Sequence, residues 1–117
     1  FTQRRDFKAL GSKPVVINLI PVYGQRYFDW FSRKSDPKAL MRFLGTTDSI
    51  EHWNEMYNLA VMRIAARRGV PMLDVRSAFL QKRSFDGLFS EDGIHPSPEG
   101  HRRMFEYILP QTREILA

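Results

Sequence analysis

Two short runs of the chain are apolar at nearly every position. They are residues 14–21 (PVVINLIP) and residues 70–75 (VPMLDV). Short apolar runs with β-branched side chains are typical of strands that are buried on both faces of a parallel sheet. The pattern therefore predicts two strands, each of which needs covering layers on both sides.

The segment between the two runs has the period of a helix. Residues 48–51 (DSIE) resemble a capping box at its start, and Gly69 follows two arginines at its end. A helix that joins two buried strands predicts a βαβ unit, so the fold class is α/β. We expect the stripe of apolar side chains on this helix to lie in the core: Ile50, Trp53, Tyr57, Ala60, Val61 and Ile64.

Shorter signals predict the remaining elements. A mixed apolar and basic stretch that ends in a glycine predicts the tail of a helix over residues 1–10. An Asp-Pro start and a glycine stop predict a short helix over residues 36–44. Another short helix is predicted over residues 76–80. The last helix begins at about Pro98, and Pro110 is expected to kink or end it.

The most informative chemistry lies in residues 92–96 (DGIHP), directly before the last helix. A histidine accepts and returns protons near neutral pH, and a carboxylate can fix its tautomer and support the imidazolium. Asp92 stands three residues before His95. Gly93 lets the backbone turn, and Pro96 keeps His95 extended and outside the helix. The pattern indicates a general base held on a rigid corner.

Other interpretations of this pattern remain open. An Asp-x-x-His sequence also occurs as a cap and turn, or as half of a metal site. The metal alternative is the weaker one, because the chain has no cysteine and neither His52 nor His101 has a clear ligand spacing to His95. Both fall in the first turn of predicted helices and are interpreted as exposed or locally bonded. Asp74 is an alternative acid for His95, or a cap at a strand end.

Residues 88–101 (LFSEDGIHPSPEGH) resemble the C-terminal signature block of the SGNH (GDSL-type) hydrolase superfamily. That block reads D-G-x-H-P, then a small residue, two variable positions and G-[HY]. The resemblance implies part of a flavodoxin-like three-layer α/β/α sandwich with a parallel sheet, and hydrolysis of esters. It also implies that His95 is the general base, that Asp92 is its partner, and that no metal or organic cofactor is needed.

The other signature blocks of that superfamily are missing from the sequence. Its nucleophilic serine lies in an early Gly-Asp-Ser block, and its oxyanion-hole glycine and asparagine lie in two intermediate blocks. Ser12 follows a glycine but precedes the first strand, whereas ligands bind at the other end of such sheets. Ser90 lacks a strand-to-helix elbow. Asn18 lies inside an apolar strand and is a poor match to a Gly-x-Asn loop.

The long connection over residues 22–47 leaves the first strand at the end where a substrate would lie. A connection of this length is often functional. It is rich in aromatic side chains, which either pack beneath it as a satellite core or line a pocket. On the second interpretation, Tyr23, Tyr27 or Trp30 contacts the acyl or alcohol part of the substrate.

The predicted sheet is small for this architecture. Two strands alone are marginal, whereas a flavodoxin-like sheet has about five. The chain has 117 residues and begins with Phe1, at a predicted helix end. We therefore expect residues 1–117 to be the C-terminal portion of one SGNH-hydrolase-like domain. Its nucleophile would lie in a missing N-terminal portion or in a complementary chain.

Composition narrows the possible partners. The formal net charge is +5, but the basic residues form dispersed pairs with acidic residues between them, so no nucleic acid is expected as a partner. An anionic substrate or a membrane surface remains compatible with this charge. No run is long and apolar enough to span a membrane. The absence of cysteine leaves the compartment open, and a signal peptide would lie upstream.

Two functional hypotheses follow. The favoured one is a serine esterase or acylhydrolase, lipase-like or a carbohydrate deacetylase, acting on a small-molecule, carbohydrate or lipid ester. On this hypothesis residues 1–117 alone are inactive, because the nucleophile is elsewhere. The alternative is a non-catalytic binding module, or a degenerate hydrolase relative, with a basic surface.

Overall fold

The computed structural model describes residues 9–117. In this part of the chain, two parallel strands pair with Val16 opposite Met72 and Ile17 opposite Leu73. The helix tail predicted over residues 1–10 lies almost entirely outside the described residues. The elements in chain order are β1 (Val16–Ile17), α1 (Gly24–Ser32), α2 (Pro37–Leu44), α3 (Asp48–Arg68), β2 (Met72–Leu73), α4 (Arg76–Leu80) and α5 (Pro98–Leu116).

The predicted βαβ unit is confirmed, with α3 running between two adjacent parallel strands. Both strands are shorter than predicted. The pairing extends by one hydrogen bond on each side, from Val16 N–H to the Pro71 carbonyl (2.9 Å) and from Asn18 N–H to the Leu73 carbonyl (3.1 Å). Pro14 and Pro21 stand at the two ends of the first run, and Pro71 directly precedes β2; a proline has no N–H to continue a ladder.

Helix α3 ends as predicted, at Gly69, whose φ of +63° is left-handed. The capping box predicted at its start is wrong, since the N-cap is Thr47, and it makes no side-chain hydrogen bond. Instead, the Ser49 hydroxyl donates to the Leu44 carbonyl (2.6 Å), the last residue of α2. Only three residues separate α2 from α3, so the Ser49 hydroxyl lies close to the end of α2. It bonds there to a carbonyl that has no hydrogen-bond partner within the helix.

The apolar stripe of α3 is not buried by the described residues, so the expectation of a core stripe is wrong there. Trp53, Tyr57 and Ile64 are 44%, 68% and 40% exposed. A polar side of the helix is turned inward because Asn58 accepts from Leu19 N–H (2.9 Å) and Asn54 donates to the Ile20 carbonyl (3.1 Å). These bonds set the rotation of α3 about its axis.

Helix α5 continues through Pro110 to Leu116, so the predicted kink or end at this proline is wrong. Proline removes one backbone hydrogen bond from a helix. The neighbouring Gln111 ties this part of α5 to the end of β2, because its side chain accepts from Asp74 N–H (2.7 Å) and donates to the Asp74 carbonyl (3.0 Å). Tertiary hydrogen bonds thus hold the helix together beyond the proline.

The main apolar core lies between α4, the segment that follows it, and α5. No helix within residues 9–117 combines the length and apolar content that a membrane span requires. The short helix predicted over residues 76–80 is confirmed as α4, whereas α1 was not predicted. The buried side chains of this apolar core are Ala78, Phe79, Leu88 and Phe89, with Ile20, Tyr23, Phe85, Met104 and Tyr107 packed around them.

Asn18 joins the sheet to α4. Its buried side chain accepts from the backbone N–H groups of Val75 (2.8 Å) and Arg76 (3.2 Å) and donates to the Asp74 carboxylate (2.9 Å). Its role in the structure is therefore to anchor the start of α4, consistent with its poor match to an oxyanion loop.

We expect Asn18→Ala to lower the free energy of unfolding by about 3 kcal/mol, because two buried N–H groups lose their acceptor. Urea denaturation measures the change. Gln25→Ala is the control, since its hydrogen bond to Asp29 is exposed; it should change stability by less than about 0.5 kcal/mol. Equal effects of the two substitutions would contradict the anchoring role.

Candidate active site

The residues around His95 form a tight hairpin-like loop, residues 88–97. Its two sides are joined by hydrogen bonds from Ser90 N–H to the His95 carbonyl (2.8 Å) and from Ser97 N–H to the Leu88 carbonyl (2.9 Å). One side of the loop follows the buried core, and the other leads directly into α5. The position of His95 is therefore fixed by its backbone as well as by its side chain.

Asp92 and His95 are in direct contact. The distance from His95 Nδ1 to Asp92 Oδ2 is 2.5 Å. The His95 side chain is 74% exposed, whereas that of Asp92 is only 19% exposed. Within residues 9–117 no hydrogen bond involves Nε2 of His95. The carboxylate therefore holds one ring nitrogen, and the other is open to an incoming group.

The second carboxylate oxygen of Asp92 organises the loop itself. Oδ1 accepts from the N–H groups of Ile94 (3.0 Å) and His95 (3.0 Å) and from the Ser90 hydroxyl (2.8 Å). Burial raises the pKa of Asp92, but these hydrogen bonds and the His95 ring together outweigh it, so the pKa lies well below the ordinary 3.8. Asp92 is therefore a carboxylate throughout the neutral range.

Ser90 supports Asp92. Its hydroxyl donates to the Asp92 carboxylate (2.8 Å) and lies 3.0 Å from the His95 carbonyl, with no bond to the His95 ring. In the sequence, the only indication of the contact between Ser90 and Asp92 is that they stand two residues apart.

The loop is packed against the start of α1 through Gly93. Gly93 has φ +73°, and its carbonyl accepts from Tyr23 N–H (2.9 Å). A Cβ atom at this position would lie 2.6 Å from Tyr27 N and 2.7 Å from Tyr23 O. Only glycine fits both this backbone conformation and this close approach of two backbones.

Arg26, on α1, also holds the segment that leads into the loop. Its guanidinium donates to the Phe89 carbonyl (3.1 Å) and pairs with Asp86 (3.1 Å), while lying 4.6 Å from the centre of the Tyr23 ring. Nothing in the local sequence pattern of Arg26 indicates that a residue 63 positions later is its partner, so the sequence alone does not identify its role.

The three aromatic residues predicted to contact substrate do not share one pocket. Tyr23 packs against the core, and its hydroxyl donates to Asp86 (2.9 Å), which raises the pKa of Tyr23. Trp30 borders a polar surface depression of about 440 Å³. Of the three, only Tyr27 lines an apolar cavity. Ile94, the neighbour of His95, lines the same cavity.

This apolar cavity, which we name the α2 cavity, has a volume of about 420 Å³. It is formed by α1, α2, the start of α3, the segment after β1 and the 88–97 loop. Its lining residues are Val22, Tyr27, Phe31, Leu40, Phe43, Leu44, Ile50, Trp53, Asn54 and Ile94.

The remaining candidates lie away from His95. Asp74 directly follows β2, the strand end at which one of its two interpretations places it, and its carboxylate accepts from Ser77 N–H (3.1 Å) in the first turn of α4. The side chains of His52 and His101 are exposed on α3 and α5, and exposed Ser12 precedes β1. No group of three or more potential metal ligands occurs in the described part of the chain.

Comparison with known proteins gives one family and one fold. Residues 10–103 match the model of the GDSL-like lipase/acylhydrolase family. The structure is similar to that of a GDSL-like lipase from Bacteroides thetaiotaomicron VPI-5482, with a TM-score of 0.62 and 17% identity. The match covers 99% of this chain and 49% of that one, so the chain spans about half the length of this structural relative. No curated protein matches the chain significantly.

We expect Gly93→Ala to lower the free energy of unfolding by more than Gly87→Ala. Both glycines have a positive φ, which costs a side chain about 1–2 kcal/mol. At Gly87 nothing lies within 4 Å of an added Cβ, whereas at Gly93 two backbone atoms lie within 2.7 Å. Chemical denaturation of the two variants provides the comparison, and equal losses would show that the loop is not packed against α1.

The low pKa of Asp92 predicts how pH changes the effect of Asp92→Asn. Because the folded-state pKa is below the unfolded value, the carboxylate stabilises the fold above about pH 3.8, and this contribution is lost as the pH falls further. We expect Asp92→Asn to cost about 2 kcal/mol at pH 7, from several bonds to an ionised acceptor, and clearly less at pH 3. Urea denaturation at both pH values measures the cost.

The control for this experiment is Glu91→Gln at the adjacent exposed position. It should change stability by less than about 0.5 kcal/mol at either pH. A cost of Asp92→Asn that is the same at pH 3 and pH 7 would argue against an ionised, hydrogen-bonded Asp92.

Proposed function

The chain belongs to the GDSL-like lipase/acylhydrolase family, and on this basis we propose that it carries the general-base part of a serine-dependent ester hydrolase. One observation carries the proposal: Nδ1 of His95 lies 2.5 Å from a carboxylate, and the ring is exposed. A histidine held in this way presents a fixed tautomer with Nε2 as the acceptor.

The proposed reaction follows from these positions. A serine hydroxyl attacks the ester carbonyl carbon, and His95 takes the hydroxyl proton at Nε2. When the tetrahedral intermediate collapses, His95 gives this proton to the oxygen of the leaving alcohol. His95 then takes a proton from a water molecule, whose oxygen attacks the acyl-serine. As the bond from the acyl carbon to the serine oxygen breaks, His95 returns this proton to the serine oxygen and the acid is released. Throughout, Asp92 stabilises the imidazolium and keeps the ring oriented.

The serine and the oxyanion-hole donors would come from outside the described residues. Six serines within residues 9–117 use their hydroxyl oxygens in other hydrogen bonds: Ser32, Ser49, Ser77, Ser84, Ser90 and Ser97. We therefore propose that residues 1–117 are the C-terminal portion of one hydrolase domain. Its complementary portion, in the same protein or in a second chain, would supply the nucleophile.

Two features of the surface support this arrangement. Ile17 of β1 is 50% exposed, although it lies in a run whose composition is typical of a buried strand. Trp53 and Tyr57 of α3 are also exposed. A further layer that covered these side chains would bury apolar surface and bring a nucleophile to the same sheet. By itself, the chain would not hydrolyse esters.

The substrate of this reaction would be a small-molecule, carbohydrate or lipid ester. The mechanism uses only protein groups, so it requires no metal or organic cofactor. The basic residues are paired with acidic neighbours at several places, for example Arg102 with Glu99 and Glu106. A dispersed pattern of this kind does not favour nucleic acid as a partner.

We expect His95→Ala to lower kcat/KM for an aryl acetate by about 10³-fold or more in the intact protein, because the general base is lost. The ring is largely exposed, so the substitution should leave the fold unchanged, as circular dichroism would verify. Spectrophotometric release of p-nitrophenol measures the rate.

His101→Ala is the matched control, since it removes an exposed histidine of α5 and should retain the parent rate. A fluorophosphonate probe adds a second measurement, because it should label a serine outside residues 9–117, and label it far more slowly in the His95→Ala variant. A near-normal rate in this variant would refute the proposed role of His95. An intact parent protein that neither hydrolyses the ester nor reacts with the probe would instead favour a non-catalytic binding module.

A further inference from the structure

The α2 cavity has properties that distinguish it from an ordinary packing gap. The cavity is partly open to solvent, with Phe43 77% and Trp53 44% exposed, and its volume of about 420 Å³ far exceeds that of a water-sized void. It falls within the range of about 300–1,000 Å³ that is typical of small-molecule pockets. Within it, aromatic side chains already pack in pairs, with the ring centres of Tyr27 and Phe31 5.7 Å apart.

The chemistry of the lining selects an apolar ligand. Nine of its ten side chains are aliphatic or aromatic. The exception is Asn54, whose amide nitrogen donates to the Ile20 carbonyl (3.1 Å) and whose amide oxygen accepts from Arg76 (2.9 Å). Because both ends of this amide are already engaged, the cavity offers little to a polar group. A hydrocarbon chain would gain from leaving water here.

The cavity is joined to the proposed site through Ile94. This residue lines the cavity, stands next to His95 in the sequence, and has its N–H bonded to Asp92 Oδ1 (3.0 Å). The wall that Ile94 forms is thus held by the same carboxylate that holds the imidazole. An apolar chain in the cavity would therefore lie against the loop that carries His95.

Helix α2 decides how much of such a chain fits. Leu40, Phe43 and Leu44 reach the cavity from one side, and the Phe43 ring packs edge-on against Trp53 of α3, with the ring centres 6.3 Å apart. None of the α2 residues is fully buried. Because this helix contributes little to the core, its side chains can be changed to alter the cavity without disturbing the fold.

We propose that the α2 cavity binds the hydrocarbon chain of the ester substrate, and that Leu40 and Leu44 limit the chain length. This inference rests on the proposed function, and it names the substrate class as esters that carry an apolar chain of several carbons. The chain belongs either to the acyl group or to the alcohol, and the two sources share this chemistry.

Two series of esters distinguish the sources in the intact protein. One series is p-nitrophenyl acetate to decanoate, and the other is methyl to octyl acetate. In the series whose chain enters the cavity, kcat/KM should rise about fourfold per added methylene (about 0.8 kcal/mol) until the cavity is full. The other series should stay flat. Flat profiles in both series would overturn the inference.

A filled cavity should remove this dependence. We expect the double variant Leu40→Phe/Leu44→Phe to lose about tenfold or more in kcat/KM for the long esters relative to the acetate, so that the rise with chain length disappears. Met41→Phe is the matched control, because Met41 lies between them on α2 and does not line the cavity. Equal effects of the two changes on the long esters would count against the inference.

Direct binding keeps the inference testable even if no ester is hydrolysed. The chain has two tryptophans, so Trp30→Phe leaves Trp53, in the cavity wall, as the reporter. Octanoate should change its fluorescence saturably, butyrate should not, and the Leu40→Phe/Leu44→Phe change should abolish the response. Binding without hydrolysis would contradict the proposed function alone. Hydrolysis with flat profiles and no octanoate response would overturn this inference alone.

Discussion

The Asp92 carboxylate is the interaction on which the candidate site depends. One of its oxygens holds the imidazole of His95 at 2.5 Å, and the other gathers the N–H groups of Ile94 and His95 and the hydroxyl of Ser90. A carboxylate that accepts several hydrogen bonds stays ionised and stays in place. The same group therefore shapes the loop, orients the base and carries the charge that an imidazolium needs.

This loop is held in position by α1. Helix α1 precedes β2 in the sequence, whereas the loop follows β2. Gly93 meets the backbone of Tyr23 and Tyr27, while Arg26 bonds to the Phe89 carbonyl and pairs with Asp86. The Gly93 contacts join backbone atoms on both sides, so they depend on close approach, whereas the Arg26 contacts depend on its guanidinium. They also connect the proposed base to α1, which lines the α2 cavity, so the Asp92–His95 pair and the apolar cavity share one scaffold.

A second polar network fixes the carboxyl end of the sheet. Asn18 anchors the start of α4, and Asn54 and Asn58 hold α3 against the segment after β1. Each buried amide is paired, as buried polar groups must be. Satisfying these amides turns the polar side of α3 inward and leaves Trp53 and Tyr57 exposed. A helix with this division of its surface has apolar area left for another layer of the domain to cover.

The sequence by itself determined the local features of this protein. The βαβ order, both ends of α2, the glycine stop of α3 and the Asp92–His95 pair follow from apolar periodicity, caps, glycine stops and a spacing of three residues. Only the tertiary structure decided the rest. Helix α1, the passage of α5 through Pro110, the rotation of α3 and the roles of Ser90 and Arg26 depend on partners that are distant in sequence or on backbone approach. The α2 cavity likewise exists only because separate helices enclose it. Hydrogen bonds between distant residues leave no periodic trace in the chain, so a linear pattern cannot reveal them.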